Sequence, residues 1–320
     1  LYNRLSAGQQ RLLHGQVAKH LEELHLGQVE EIAGQLARHY YLADDRDQAC
    51  RYYALAGDKA ARLFANDEAQ LHYSRALELA ERITINKSFQ ASLYRARGRV
   101  MERMGEFENA LSDHNYSLEL ARLLDDPELI WICLLDLGRL WAFRDYQRTR
   151  EYFDLAISLA RERDDPLTLA SSMNWMGNWH MNMELPQQAT SYHLEALEIA
   201  ESMDNKQELA NTLDLLGILK MMEGKQKAGK EYYDRAITLQ REMGDQIRLV
   251  SSLTGRAGCV MNKAFLANLS VRSIKGAADD LLEALQIAEE TGLITGKSWA
   301  LYMQGMLDLV RGQFGTSRAK

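Results

Sequence analysis

Small and large residues recur at fixed intervals along this 320-residue chain and predict repeated pairs of helices. A glycine returns inside helical patterns at steps of 40, 39, 40 and 41 residues. An acidic turn that starts at Asp125 keeps the same period, with steps of 39, 40 and 41 residues. Two independent markers with one period indicate an array of structural repeats. The repeat glycines are Gly98, Gly138, Gly177, Gly217 and Gly258.

Within a unit, two small residues follow the glycine and one bulky residue stands between them. After Gly177, for example, Ala189 comes twelve residues later and Ala196 seven residues after that. Small residues at these places let two antiparallel helices approach closely, and the bulky residue fills the space between them. Each unit is therefore predicted to contain two helices. The bulky residues are His114, Phe153, His193 and Tyr233.

Helix ends carry their own signals. Gly105, Gly224 and Gly312 each lie seven residues past a repeat glycine, where a left-handed helix end favours glycine. The paired carboxylates of the acidic turns, such as Asp125 and Asp126, are predicted to cap the next helix and to favour its positive N-terminal end.

The small–aromatic–small spacing resembles the tetratricopeptide-repeat family, in a variant of about 40 residues per unit. The resemblance covers roughly residues 28–314 and implies an all-α fold, a right-handed α-α superhelix. Two places depart from the pattern. Residues 57–82 follow the preceding unit at a shorter step, so we expect shared or skewed helices there. Extra residues between two repeat markers predict a bulging loop at residues 267–273.

The first third of the chain adds a second resemblance. The segments RLLH at residues 11–14, YALAGDKA at 53–60 and FANDEA at 64–69 look like the region that follows the ATPase core of bacterial signal-transduction ATPases. This resemblance implies three parts. Residues 1–27 would be a helical linker after an ATPase module outside this sequence, residues 28–82 atypical helical repeats, and residues 83–320 repeats of about 40 residues, the last one truncated.

Composition narrows the classes of partner. The net charge of −7 argues against nucleic acid as a direct partner, because affinity for phosphates requires clustered cations. The longest apolar run is far shorter than a membrane span requires, so no membrane partner is expected. Cys50, Cys133 and Cys259 stand far apart, which favours reduced thiols and a cytoplasmic location.

No candidate for catalysis or cofactor binding withstands inspection. Residues 292–298 have too few residues between their glycines for a phosphate loop. In residues 224–230 the spacing is right, but Glu231 replaces the hydroxyl residue that would hold magnesium. The histidines show no metal-ligand spacing. We therefore expect a protein that is not an enzyme and has no cofactor and no metal.

The family resemblance implies that the first helix of each unit lines a concave groove, where we expect a peptide or protein partner. Three asparagines spaced by four residues can clamp a peptide backbone, since an amide both donates and accepts hydrogen bonds. Arginines at the same spacing suit a carboxylate or a phosphate. The alternative is that these residues only form solvated faces. The candidate partner-binding residues are Arg95, Arg99, Arg103, Arg139, Asn174, Asn178, Asn182, Asn211 and Asp214.

The leading hypothesis is a non-catalytic regulatory arm that binds its partner in the groove and relays binding to the ATPase or output module of the parent chain. A second hypothesis is a self-association scaffold, which could be a homodimer, because the truncated last unit leaves an apolar face (Trp299, Tyr302, Gly305 and Phe314). A third is a sensor of a small effector molecule, with an apolar pocket lined by Met181, Met221 and Met222.

Overall fold

The computed structural model describes residues 5–267 and 275–310, and this part of the chain is helical without a strand. A short 3₁₀ turn, Val29–Ile32, precedes the second helix. The all-α fold class predicted from the spacing is confirmed for the described residues. The helices are α1 (Ala7–Leu24), α2 (Ala33–Leu42), α3 (Arg46–Arg62), α4 (Asn66–Ala80), α5 (Lys87–Met104), α6 (Phe107–Leu123), α7 (Pro127–Trp141), α8 (Tyr146–Glu162), α9 (Pro166–Asn182), α10 (Pro186–Ser202), α11 (Lys206–Met222), α12 (Gln226–Met243), α13 (Gln246–Ala267), α14 (Lys275–Glu290) and α15 (Ile294–Val310).

The acidic turns end one helix and begin the next. Asp125, Asp164 and Asp204 have φ angles of 49°, 51° and 47°, a left-handed conformation that stops the preceding helix. The next residue in the first of these turns, Asp126, accepts a hydrogen bond from the backbone N–H of Leu129 at 3.0 Å and so caps α7. Equivalent side chains cap α9 and α11. The predicted capping role of these turns is confirmed.

Two of the three predicted glycine ends are also found. Gly105 follows α5 with a φ of 79°, and Gly224 comes two residues after α11 with a φ of 77°. Gly312 and most of the expected bulging loop, residues 268–273, lie outside the described residues.

Three of the repeat glycines, Gly98, Gly177 and Gly217, pack under a bulky side chain of the next helix, as the spacing predicted. Gly258 differs, because a Cβ atom there would meet Met221 and Met303 at 3.2 Å and no residue of α14. A Cβ atom at Gly98 would stand 2.9 Å from the His114 ring, and one at Gly177 would stand 2.5 Å from His193. Real Cβ atoms essentially never come within 3.0 Å of another heavy atom, so neither glycine can be replaced without movement. The glycine is therefore what allows the two helices of a unit to approach.

The helix pair α3 and α4 follows the same motif, which differs from our expectation of skewed helices. Tyr73 packs against Gly57, where a Cβ atom would stand 2.7 Å from the tyrosine ring. Ala69 and Ala76 are both fully buried and follow Gly57 at the usual spacings. The shorter step arises only when the unit is counted from Ala49, which belongs to the same helix as Gly57.

The chain divides into two compact units, Leu1–Tyr152 and Phe153–Lys320, with the boundary inside α8. In the first unit the odd-numbered helices follow one another in contact, α3 with α5 and α5 with α7. In the second unit α9, α11, α13 and α15 do the same. We call the side of these odd-numbered helices that carries the candidate residues the groove face.

Candidate functional site

The groove face of the first unit carries an arginine cluster, which we define as Arg95, Arg99, Arg103 and Arg139. The first three lie on α5 and the fourth on α7. Arg95 Nε donates to Oδ2 of Asp136, and Arg139 Nη1 donates to Oδ1 of the same carboxylate at 3.1 Å. Asp136 is 1% exposed, so one buried carboxylate fixes two of the four guanidinium groups.

A second carboxylate lies at the edge of the cluster. Glu102 Oε2 lies 3.6 Å from Arg139 Nη2, and both side chains are somewhat over a quarter exposed. Burial raises the pKa of Glu102, and the charge of Arg139 opposes that rise. Arg103 is also held, because its Nε atom donates to Asn66 Oδ1 at 3.0 Å. These contacts give three of the four arginines of the cluster a partner within the chain.

Arg99 has neither a hydrogen bond nor an ion pair within the described part of the chain, and it is exposed. Burial lowers the pKa of Arg99, the negative charge of Asp136 opposes that fall, and the charges of Arg95 and Arg139 act in the same direction as burial. A cavity of about 340 Å³ opens beside it, lined by Arg103 and Phe64 among others. Arg99 thus presents an unpaired guanidinium group beside other arginines and the buried carboxylate of Asp136. An anionic group is the ligand that this arrangement favours.

The groove face of the second unit carries an asparagine ladder, which we define as Asn174, Asn178 and Asn182 on α9. The three residues have different surroundings, although the sequence places them at one spacing. Asn174 is 3% exposed, and its Nδ2 atom donates to Glu208 Oε1 at 2.8 Å and to Thr212 Oγ1 at 2.7 Å. Its amide is therefore occupied inside the chain.

The other two members of the ladder lie closer to the surface than Asn174. Asn182 is exposed at the end of α9. Asn178 is half-buried, and its Oδ1 atom is shielded from solvent without a hydrogen-bond partner in the described residues. An unsatisfied buried acceptor costs about 1–3 kcal/mol. A partner that supplies an N–H group after a small rotation of this side chain would recover part of that cost.

Asn211 and Asp214 lie on α11 and are both partly exposed. Asn211 makes a long hydrogen bond to Glu208, with Nδ2 and Oε1 3.4 Å apart. Asp214 Oδ1 accepts from Ser252 Oγ at 2.5 Å. Burial raises the pKa of Asp214 to about 6, and the hydrogen bond from Ser252 opposes that rise. Asn211 thus contacts a residue of its own helix, and Asp214 links α11 to α13.

Sequence reasoning missed the partners of these residues, although a signal was present. Arg95 and Asp136 are 41 residues apart, Asn174 and Thr212 are 38 apart, and Asp214 and Ser252 are also 38 apart. Each distance is close to one repeat, because equivalent positions of consecutive units face each other. Complementary polar residues spaced by one repeat therefore mark contacts between units of the array.

The described residues also bear on metal binding and on membrane insertion. No group of three or more histidine, cysteine or acidic side chains there is placed to hold a metal ion. Within the same residues, every helix is too short or too polar to cross a lipid bilayer. The three cysteines Cys50, Cys133 and Cys259 are buried and form no disulfide.

No protein-family model matches this sequence, and no curated protein matches it significantly. Solved structures do resemble it. The quorum sensor NprR from B. thuringiensis, in its apo form, has a TM-score of 0.61 at 13% identity, with 97% of this chain and 85% of that chain covered. A Rap conjugation gene regulator of the plasmid pLS20, solved in complex with a peptide, has a TM-score of 0.57 at 14% identity, with 88% and 76% covered.

A third similar structure is a signal-transduction ATPase with numerous domains and a tetratricopeptide-repeat sensor, from Pyrococcus horikoshii. Its TM-score is 0.58 at 14% identity, and the match covers 93% of this chain and 47% of that chain. At these identities the likeness concerns the fold. The resemblance to tetratricopeptide-type helical repeats, including those of a signal-transduction ATPase, is thereby confirmed at the level of the fold.

Proposed function

We propose that this chain is a non-catalytic regulatory module that binds an extended peptide or a protein segment on its groove face. The observation that carries the proposal is Arg99, an exposed and unpaired guanidinium group beside three arginines whose positions are fixed by internal contacts. Arg99 itself is not held by such a contact, so its contribution to recognition is its charge beside these fixed cations. The ligand would carry a carboxylate or another anionic group.

The asparagine ladder supports a peptide as the ligand of the second unit. Asn182 presents its amide group to solvent, and Asn178 would present its own after a rotation of the side chain; such groups can pair with a peptide backbone irrespective of its side chains. Asn174 belongs to the site as the residue that positions α9 against α11, since its amide is occupied by internal hydrogen bonds. Backbone pairing would supply affinity in the second unit, and the arginine cluster would select an anionic group in the first.

The similar structures favour a regulatory role. One was solved with a bound peptide, another is a quorum sensor, and the third combines a repeat sensor with an ATPase. We extend the proposal to a parent protein in which partner binding on these repeats controls an ATPase or another output module. This chain spans about half the length of the ATPase that it resembles.

The proposal is tested by selecting peptides from a random displayed library on the whole chain, followed by calorimetry with the selected peptides. Arg99→Gln and Asn178→Ala are expected to weaken binding by about tenfold each, since each removes a pairing group. The matched controls lie on even-numbered helices of the same units, Arg122→Gln on α6 and Gln188→Ala on α10. Equal affinities for the groove variants and the wild type would refute the proposal.

Self-association is a second candidate, favoured by one observation on α15. Trp299 and Tyr302 are 52% and 55% exposed and stack with ring centroids 5.3 Å apart. Met306 and Leu309, 39% and 41% exposed, continue the same helix face. Light scattering of the chain without a ligand separates the two functions. A dimer that Trp299→Ala converts to a monomer would support the scaffold, and a monomeric wild type would leave only the binding function.

A further inference from the structure

A cavity in the first unit lies away from the groove face, between α2 and α4. Its volume is about 320 Å³. Tyr53 of α3 and Leu79 of α4 line its base, and each side chain is only 4% exposed. Tyr41, at the end of α2, is 52% exposed at the rim. The cavity thus combines an aromatic base with an open entrance.

Its charged lining is strongly biased toward positive charge. Arg38 projects from α2, while Arg75 and Arg82 come from α4 and from the turn after it. Glu78 is the one carboxylate among the lining residues. Three guanidinium groups against one carboxylate is an unusual local ratio in a chain that has 45 acidic and 38 basic residues overall. The cavity is therefore positive in a negatively charged protein.

These three arginines also differ from their neighbours in their contacts. Within the described residues, neither an ion pair nor a hydrogen bond engages the guanidinium group of Arg38, Arg75 or Arg82. Other arginines of this unit have carboxylate partners, as in the pairs Arg51–Asp47 and Arg97–Asp113. Arg75 lies over the Tyr53 ring, 5.6 Å from its centroid, which holds the guanidinium group at the cavity base.

The ends of two helices reduce this positive charge without cancelling it. The C-termini of α2 and α4 lie at the cavity, and each is equivalent to about half a negative charge. Together with Glu78 they offset roughly two of the three positive charges. An excess positive charge remains, together with the donors of three guanidinium groups and the hydroxyl groups of Tyr41 and Tyr53.

We propose that this cavity is a binding site for the phosphoryl group of a small phosphorylated molecule, separate from the groove face. A carboxylate has two oxygens, and in the bidentate geometry both pair with a single guanidinium group. A phosphoryl group has three terminal oxygens, and the cavity is lined by three arginines, one from α2, one from α4 and one from the turn after α4. The exposed ring of Tyr41 provides a surface for the remainder of the ligand.

The test is calorimetry on the 320-residue chain at constant ionic strength, with inorganic phosphate and adenosine 5′-monophosphate as probes. Arg38→Gln alone and Arg38→Gln/Arg75→Gln together are the test variants. Both side chains are exposed, so both variants are expected to fold, and circular dichroism checks this. Arg122→Gln on α6 is the control for charge, and Arg99→Gln is the control for binding on the groove face.

The wild type and both control variants are expected to bind at least one probe with the same affinity. The single variant should bind about tenfold more weakly, and the double variant should show no binding. Tighter binding of the nucleotide than of phosphate would place its base against Tyr41, and equal binding would assign the site to phosphate alone. Absence of binding by the wild type would overturn the proposal. Equal probe binding by the wild type and the double variant, or loss of probe binding in Arg99→Gln, would also overturn the proposal. These outcomes do not depend on whether the groove face binds a peptide.

Discussion

His193 Nδ1 lies 2.9 Å from Oδ1 of Asn174, and this contact joins two buried side chains on neighbouring helices. Since Oδ1 accepts, the imidazole donates from Nδ1 and leaves its Nε2 atom without a partner in the described residues. The amide of Asn174 then bridges to Glu208 and Thr212 of α11. Asn174, which the sequence suggested as a residue that binds a partner, thus joins three helices.

The first prediction separates the members of the asparagine ladder. Asn174→Ala should lower the free energy of unfolding by about 1–3 kcal/mol, because it leaves His193 Nδ1 without its partner and removes the shorter of the two side-chain hydrogen bonds to Glu208. Asn182→Ala, at an exposed position, should change it by less than about 0.5 kcal/mol. Urea denaturation measures both values. Similar stability losses for the two variants would contradict the structure.

The second prediction concerns the close approach of α9 and α10. Gly177→Ala should destabilise the chain by about 1–3 kcal/mol, because the added Cβ would stand 2.5 Å from His193. Gly8→Ala is the matched control, since a Cβ there would meet nothing within 4 Å. In a double-mutant cycle with His193→Ala, the cost of Gly177→Ala should become smaller by more than about 0.5 kcal/mol. Additive costs would show that the two residues do not meet.

The third prediction is a loss of stability in acid caused by His114. Burial lowers the pKa of His114 to about 4 from 6.5, so the folded state binds the proton less readily than the unfolded state. Its stabilising contribution is complete above pH 6.5 and is lost as the pH falls toward 4. His114→Phe removes this loss. Between pH 8 and pH 5 the wild type should lose about 2 kcal/mol more than the variant, measured by urea denaturation. Parallel pH profiles would refute the buried neutral imidazole.

The fourth prediction has the opposite sign and concerns Asp214. Burial raises its pKa to about 6 from 3.8, so the folded state holds the proton more tightly than the unfolded state. Stability due to this group is greatest below pH 4, falls as the pH rises to 6 and is constant above that. Asp214→Asn keeps the Oδ1 acceptor for Ser252 and carries no charge. Relative to the wild type, this variant should gain about 2–3 kcal/mol between pH 4 and pH 7. A stability difference between the variant and the wild type that stays the same from pH 4 to pH 7 would contradict the raised pKa of Asp214.

The fold could be predicted because one constraint recurs in several units. A glycine under a bulky side chain produces the same helix contact at Gly98, Gly177 and Gly217, so their spacing locates the helices. The same constraint was present at Gly57 and Tyr73 and was missed, because the unit was counted from Ala49. The repeat period could be read from the sequence, but the residue at which the first regular unit begins could not.

The candidate site was predicted less completely, because spacing on one helix does not reveal what the next unit supplies. Arg95 and Arg99 look equivalent in the sequence, yet a buried carboxylate one repeat later holds only Arg95. Asn174 and Asn182 look equivalent as well, but only the former meets polar partners from α11. Burial and pairing between units decide which residues remain available to a partner.

The most direct test of the central claim is hydrogen exchange, measured by mass spectrometry, of the chain with and without a selected peptide. The account predicts slower exchange in segments of α5, α7 and α9, which carry Arg99, Arg139 and Asn178, and unchanged exchange in α4, α6 and α10. Protection confined to the even-numbered helices, or to α15, would contradict binding on the groove face.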